Sequence, residues 1–240
     1  MPSTARENAF VAGASGAIGR VLCKLLIEDG WRVVGTTRSA DKASELKFLG
    51  IDPIVIDVFD RGALIRAVGN AEPQVVVHQL TDLPKEFSPE NMAAARPRNA
   101  LIREVGTDNL IAAATAAGAR RLVAQSIAFA YAPGPRPYAE EAPLDVATAR
   151  SVAKLEESVL GCDLEGVVLR YGRLYGPRTW FSAPSGEAPV HVDAAADAAR
   201  RAATLGRSGI YNVAEDDGTV TSAKARRELG WSAGFRVLAP

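Results

Sequence analysis

Cysteine is nearly missing from the 240 residues, which carry Cys23 and Cys162 alone. Two thiols build neither a disulfide framework nor a metal cluster. A surplus of charge is missing too, since 28 Lys plus Arg balance 28 Asp plus Glu. Without a basic excess the chain has little to hold a nucleic-acid backbone or an anionic membrane surface, so neither is expected as a partner. Long hydrophobic runs do not occur. The longest, such as Gln74 to Leu80, fall far short of the about 20 residues that span a bilayer. The opening MPSTARENAF lacks the charged-then-apolar order of a leader. Histidine is limited to His78 and His191. They lie far apart, with no Cys or carboxylate at ligand spacing, so no metal is expected. No Gly-x-Ser-x-Gly elbow is present, which leaves a hydrolase without its nucleophile motif. A reduced, cytoplasmic, globular protein is the expectation, and 48% hydrophobic with 23% charged residues agrees with it.

What is present is a steady alternation of short apolar runs and helical patterns. Asn8 to Ala12 reads as a strand, and Ala17 to Asp29 as a helix with Ile18, Val21, Leu22, Leu25 and Leu26 at helical spacing. Strands follow at Trp31 to Thr37, Ile54 to Val58, Gln74 to Gln79, Arg121 to Ser126 and Gly166 to Tyr171. Helices are expected at Asp41 to Leu49, Arg61 to Val68, Ile102 to Ala117 and Ser151 to Leu160. This cadence predicts an α/β fold with a Rossmann-type, doubly wound parallel sheet covered on both faces. After Gly176 the composition turns to Pro, Ser and Gly. Residues 1–176 are therefore expected to form the Rossmann-type domain, a single structural unit with the residues that follow. Residues 177–240 would add a reduced substrate lobe packed on it, with a helix at Val192 to Leu205, a strand at Ile210 to Val213 and a last helix at Ser222 to Leu229.

The sharpest motif is Gly13-Ala14-Ser15-Gly16-Ala17-Ile18-Gly19, between the first strand and the first helix. In that setting Gly13 permits the tight turn, Gly16 lets backbone approach a pyrophosphate, and Gly19 allows close helix–strand packing. The amides and dipole of the helix start favour the anion. A carboxylate for a ribose 2′-hydroxyl is expected at the end of strand two, but that strand ends Gly35-Thr36-Thr37-Arg38. Arg38, with Lys42 a turn later, puts positive charge where a 2′-phosphate would sit, so NADP is favoured over NAD.

These residues resemble the extended short-chain dehydrogenases/reductases, the NAD-dependent epimerase/dehydratase group. The likeness extends to Asp57-Val58, to Val77-His78-Gln79-Leu80, to Gly106-Thr107-Asp108-Asn109-Leu110, to Leu169-Arg170-Tyr171 with Leu174-Tyr175-Gly176-Pro177, to His191-Val192-Asp193, and to the final helix Ala223 to Trp231. It implies an NADP(H)-dependent oxidoreductase or epimerase/dehydratase-like enzyme for a small polar carbonyl or hydroxyl compound. The cofactor contacts it implies are Gly13, Ser15, Gly16, Ala17, Ile18, Gly19, Arg38, Lys42, Asp57, Val58, Gln79, Leu80, Thr81, Lys154 and Tyr171. A homodimer is implied as well.

Two departures stand against that likeness. The family's acid/base pair is Tyr-x-x-x-Lys on a helix, whereas here Arg150 precedes Lys154 at that spacing. No tyrosine in the chain has lysine four residues on. The family's Ser or Thr helper falls on Ile127, with Ser126 one place off. The replacement candidates for catalysis are Ser126, Tyr131, Arg150 and Lys154. Arg150 would hold a carboxylate or an oxyanion rather than act as a base. The second departure is a short tail, which implies a shallower pocket or one completed by a second subunit. A dinucleotide-binding sensor or regulatory subunit without turnover is the competing expectation.

Overall fold

The computed structural model describes residues 7–237. The opening residues, on which the expectation of no leader rests, lie outside them. Seven parallel strands form one sheet: β1 (Asn8–Ala12), β2 (Arg32–Thr37), β3 (Asp52–Val55), β4 (Val75–His78), β5 (Arg121–Ile127), β6 (Glu165–Tyr171) and β9 (Gly209–Val213), in the order β3-β2-β1-β4-β5-β6-β9. Strand residues alternate between two cores because successive side chains point to opposite faces. Ala9 and Val11 join Leu22 and Leu26 of α1 (Ala17–Glu28) and the alanines of α7 (Val192–Ala202). Phe10, Val76 and Leu122 join Leu64 of α3 (Arg61–Ala71), Leu110 of α5 (Thr107–Ala116) and Leu155 of α6 (Val146–Leu160). Burial on both faces is what the near-continuous apolar strands require.

The chain leaves β1 toward β2 on one side and returns as β4 on the other. That reversal opens a crevice beyond the carboxyl ends of β1 and β4, the place where open α/β sheets take their ligands.

Several elements differ from the sequence reading. β3 closes at Val55, so Asp57 and Val58 stand beyond the strand rather than in it. A helix absent from that reading, α4 (Pro89–Leu101), runs through a π-helical segment (Ile102–Gly106) into α5. Its apolar signal is weak because Asn99 is the buried residue of the helix, and Pro97 lies within it. Ser88 caps its start by accepting from the Asn91 amide at 3.1 Å. α6 begins at Val146, ahead of Ser151, and is broken at Ala149 (φ −123°, ψ 29°).

The stretch after Gly176 is built into the body of the molecule. β8 (Pro189–His191) pairs with β7 (Arg173–Tyr175), α7 packs along α1, and β9 covers the outer edge of β6. α2 (Ala40–Phe48) and α8 (Ala223–Leu229) complete the elements. The β6 edge needs the backbone partners that β9 supplies, so the residues after Gly176 complete the sheet. Among the described residues no helix is long and apolar enough to cross a membrane.

Candidate functional site

The glycine turn is shaped by close backbone contacts. Gly13 has φ +91°, and a Cβ there would lie 2.6 Å from the carbonyl oxygen of Gln79. A Cβ on Gly19 would lie 2.2 Å from the Gly13 oxygen. These two positions are closed to side chains by the protein itself. Gly16 differs: it is exposed, and its Cβ would meet just the Gly13 oxygen, at 3.3 Å. Gly16 caps α1 without a side-chain partner, and the helix ladder starts with the Arg20 amide on the Gly16 oxygen at 3.1 Å. The amides of Ala17, Ile18 and Gly19 therefore face out of the helix start toward the crevice. Thr36 fixes the turn by accepting from the Gly13 amide at 3.2 Å and, through its carbonyl, from the Ala14 amide at 3.1 Å. Ser15 donates to Thr37 at 3.2 Å.

Beyond β2 and β3 lies a chain of charges. Arg38 is half exposed and pairs with Asp82, which follows β4. The second Asp82 oxygen takes Arg98 of α4 at 2.9 Å, and Arg98 reaches on to Asp57 at 3.6 Å. Lys42 is exposed on α2. Asp57 also accepts from the Phe59 amide at 3.1 Å, and the Val58 carbonyl accepts from Asn109 at 2.9 Å. The structure so places Arg38, Asp57 and Val58 at adjoining strand ends. It adds Asp82, and Arg98, which was missed because α4 itself was not legible.

The end of β4 is pinned from beneath. The buried His78 ring accepts from the Leu80 amide at Nδ1 (3.2 Å), so Nε2 carries the hydrogen and donates to Thr107 at 3.1 Å. Burial, with the Arg103 charge adding to it, pushes this imidazole down to about 4, and it stays neutral. Gln79 donates to the Tyr171 hydroxyl at 3.3 Å, and Gln125 to the Leu80 carbonyl at 3.2 Å. Burial drives the Tyr171 hydroxyl well above the ordinary tyrosine range. Thr81 is exposed at the rim. Among the described residues, the buried side-chain atom left without a hydrogen-bond partner is Gln79 Oε1. A crevice with outward amides, a glycine a side chain would fill, and an orphaned buried acceptor fits a dinucleotide.

The four proposed catalytic residues do not come together. Ser126 is buried and donates to Glu156 at 2.6 Å. Glu156 is held by Arg170, which also donates to the Tyr131 hydroxyl at 2.9 Å. Tyr131 in turn donates to Asn212 at 2.6 Å and stacks on Tyr138. Burial raises its pKa, so it is no base near neutrality. Both hydroxyls are spent on a buried network that ties β5, β6, α6 and β9 together. Arg150 and Lys154 lie on the outer side of α6, in an open groove with Glu104, Ala153 and Glu157. The cause is helical phase: Glu156 faces the sheet, and Lys154, two residues earlier, is about 200° around the axis. One turn before Glu156, on the same side of the helix, is Val152. Val152 packs with Ala130 and Ala149, and Ile127 and Leu144 close on them. Lys154 is thus removed from the cofactor contacts and the proton-handling set alike, and the side of α6 that meets Ile127, the position at which the resemblance puts the Ser or Thr helper, is apolar.

Residues 13–180 match the family described as NAD(P)H-binding. A 3-diazoavenalumate denitrifying reductase of Streptomyces sp is 43% identical over 238 residues, which cover 87% of this chain and 76% of the reductase. A UDP-glucose 4-epimerase of Mycolicibacterium smegmatis is 28% identical over 199 residues, 75% of this chain and 59% of the epimerase. Among solved structures, the Bordetella bronchiseptica enzyme WbmG in complex with NAD superposes with a TM-score of 0.76 at 19% identity, covering 99% of this chain and 92% of WbmG. That likeness concerns the fold.

Proposed function

The chain belongs to the NAD(P)H-binding family, of the extended short-chain dehydrogenase/reductase type, and is an NAD(P)-dependent enzyme of the oxidoreductase or epimerase kind; from that premise we propose an NADPH-dependent reductase whose substrate needs no proton from the protein. The observation that carries this reading is the apolar cluster of Ile127, Ala130, Ala149 and Val152, set where a proton donor would be required. Reduction of a carbonyl and epimerisation through a hydroxyl both need a group that gives or takes a proton. Replacement of N2 by hydride at a diazonium carbon does not, and the relative from Streptomyces is named a 3-diazoavenalumate denitrifying reductase.

In the crevice, the amides of Ala17, Ile18 and Gly19 would hold the pyrophosphate, Arg38 the 2′-phosphate, Asp57 and Val58 the adenine side, and Gln79 to Thr81 the nicotinamide half. Bound there, a reduced nicotinamide would supply a hydride to a diazonium carbon, with N2 leaving on the C–N pair, a chemistry that consumes no proton. The protein's part is to fix Gln79 and Leu80 through His78, and to keep water from the strand ends with apolar side chains.

A homodimer is part of the proposal, with the exposed Leu101, Val105 and Leu160 of the α4–α6 face as its contact. The test of function is turnover of a diazotised aminobenzoate with NADPH deuterated at C4. Gas evolution and one deuterium in the arene are expected. Tight NADPH binding with no product from diazo or carbonyl compounds would sink the reading.

A further inference from the structure

We propose that Arg173 and Phe129 anchor the substrate, and that the substrate is a planar molecule bearing a carboxylate. The inference rests on the reductase reading for what is done to that molecule, and on geometry for what is held.

Ile127 of β5 and Tyr171 of β6 are the last paired residues of their strands. Phe129 and Arg173 each lie two residues beyond that pair. They therefore stand side by side over neighbouring strand ends, on the carboxyl edge of the sheet one and two strands on from β4. The Arg173 guanidinium carbon lies 4.7 Å from the centre of the Phe129 ring. Phe129 keeps 43% of its surface exposed, so its ring is open to a ligand.

Arg173 is held as a shaft and left open as a head. Its amide donates to the Ala188 carbonyl at 2.8 Å, which starts β7. Its side chain crosses Gly186, where a Cβ would come within 2.9 Å of Arg173 Cδ. Gly186 has φ +72°, so both its backbone and its missing side chain suit that crossing. The guanidinium makes no ion pair or hydrogen bond among the described residues.

The carboxylates at hand are already taken. Glu187 is gripped by Arg136 through two hydrogen bonds, at 2.7 and 2.8 Å. Asp217 accepts from the Ala188 amide at 2.7 Å and from Thr219 at 2.9 and 3.0 Å. Glu187 feels the Arg173 charge as well but makes no hydrogen bond to it, so five N–H donors in a flat fork, stacked on an aromatic, stay open to a carboxylate arriving from outside. A planar substrate then extends the stack along Phe129. Trp180 donates to the Pro84 carbonyl at 3.0 Å and packs on Phe87, with ring centres 5.3 Å apart, which ties the loop after β7 to the loop after β4.

The test uses a probe that cannot be reduced by loss of N2. Calorimetry compares trans-cinnamate with its methyl ester on the wild-type chain, on Arg173→Met and on Arg173→Lys. Cinnamate should bind wild type about tenfold or more tightly than the ester, the worth of one charged hydrogen-bonded contact. Arg173→Met should bring cinnamate to the ester's affinity, Arg173→Lys should keep part of the preference, and NADPH binding should be unchanged in both. Equal binding of acid and ester by wild type, no binding of cinnamate, or loss of NADPH binding in Arg173→Met would overturn the assignment. Arg173-dependent binding of cinnamate in a chain that never reduces a diazo compound would sustain this site while removing the proposed reaction.

Discussion

Arg170 and Glu156 grip each other through two hydrogen bonds, Nε to Oε1 at 2.9 Å and Nη2 to Oε2 at 2.6 Å, with both side chains buried. This pair sets the rotation of α6. With Glu156 turned to the sheet, Val152 is turned to the sheet as well, and Arg150 and Lys154 are turned away.

Breaking the pair should therefore cost stability, and removing the outer cations should not. Glu156→Ala leaves Arg170 buried and uncompensated, so about 3–5 kcal/mol of unfolding free energy should be lost. Lys154→Ala and Arg150→Ala should stay within about 0.5 kcal/mol of wild type. Their NADPH affinity should be unchanged. Urea unfolding and fluorescence titration check both. A Lys154→Ala protein that no longer binds NADPH would restore this lysine to the cofactor site.

Two glycines of the turn should fail in different ways. Gly16→Val places its side chain in the crevice, so the protein should fold and lose NADPH binding. Gly19→Ala forces a methyl into the Gly13 carbonyl, at a distance no real Cβ occupies, so folding itself should suffer. Thermal unfolding with and without NADPH separates the two. A folded Gly16→Val protein of full affinity would refute the placement of the pyrophosphate.

Arg38 and Asp82 should act in opposite directions on the 2′-phosphate. Arg38→Ala should weaken NADPH by about tenfold or more, the worth of a charged hydrogen bond, with little change for NADH. Asp82→Asn removes the carboxylate that now occupies Arg38 and Arg98, so NADPH should bind more tightly. Equal losses for both nucleotides in Arg38→Ala would end the case for NADP selectivity.

Acid should destabilise the fold through His78. Its folded pKa of about 4 lies below the unfolded value of 6.5. Between those values the unfolded chain binds more protons, so the stability is complete above pH 6.5 and is lost as pH falls toward 4. The loss is on the order of 3 kcal/mol, at 1.36 kcal/mol for each pKa unit. His78→Asn keeps an acceptor for the Leu80 amide and should flatten that slope in urea titrations run at pH 7 and 4.5. An unchanged slope would move its origin to another group.

The architecture and the nucleotide turn were legible along the chain because both follow from local order. Strand periodicity, the spacing of Gly13, Gly16 and Gly19, and the missing carboxylate after β2 are properties of consecutive residues. α4 was not legible, since a helix that buries only Asn99 offers no apolar stripe. The lysine was misread for a related reason. Spacing in sequence matched Lys154 to a motif, but a helix has no phase until something fixes its rotation, and here that is the distant Arg170 on β6. Ser126 and Tyr131 were candidates as free hydroxyls, and only tertiary packing spends them on Glu156 and Asn212. The sequence by itself determined where the backbone turns tightly between β1 and α1, because glycine is a local choice. Which side chains face the crevice was decided by ion pairs between residues far apart in the chain.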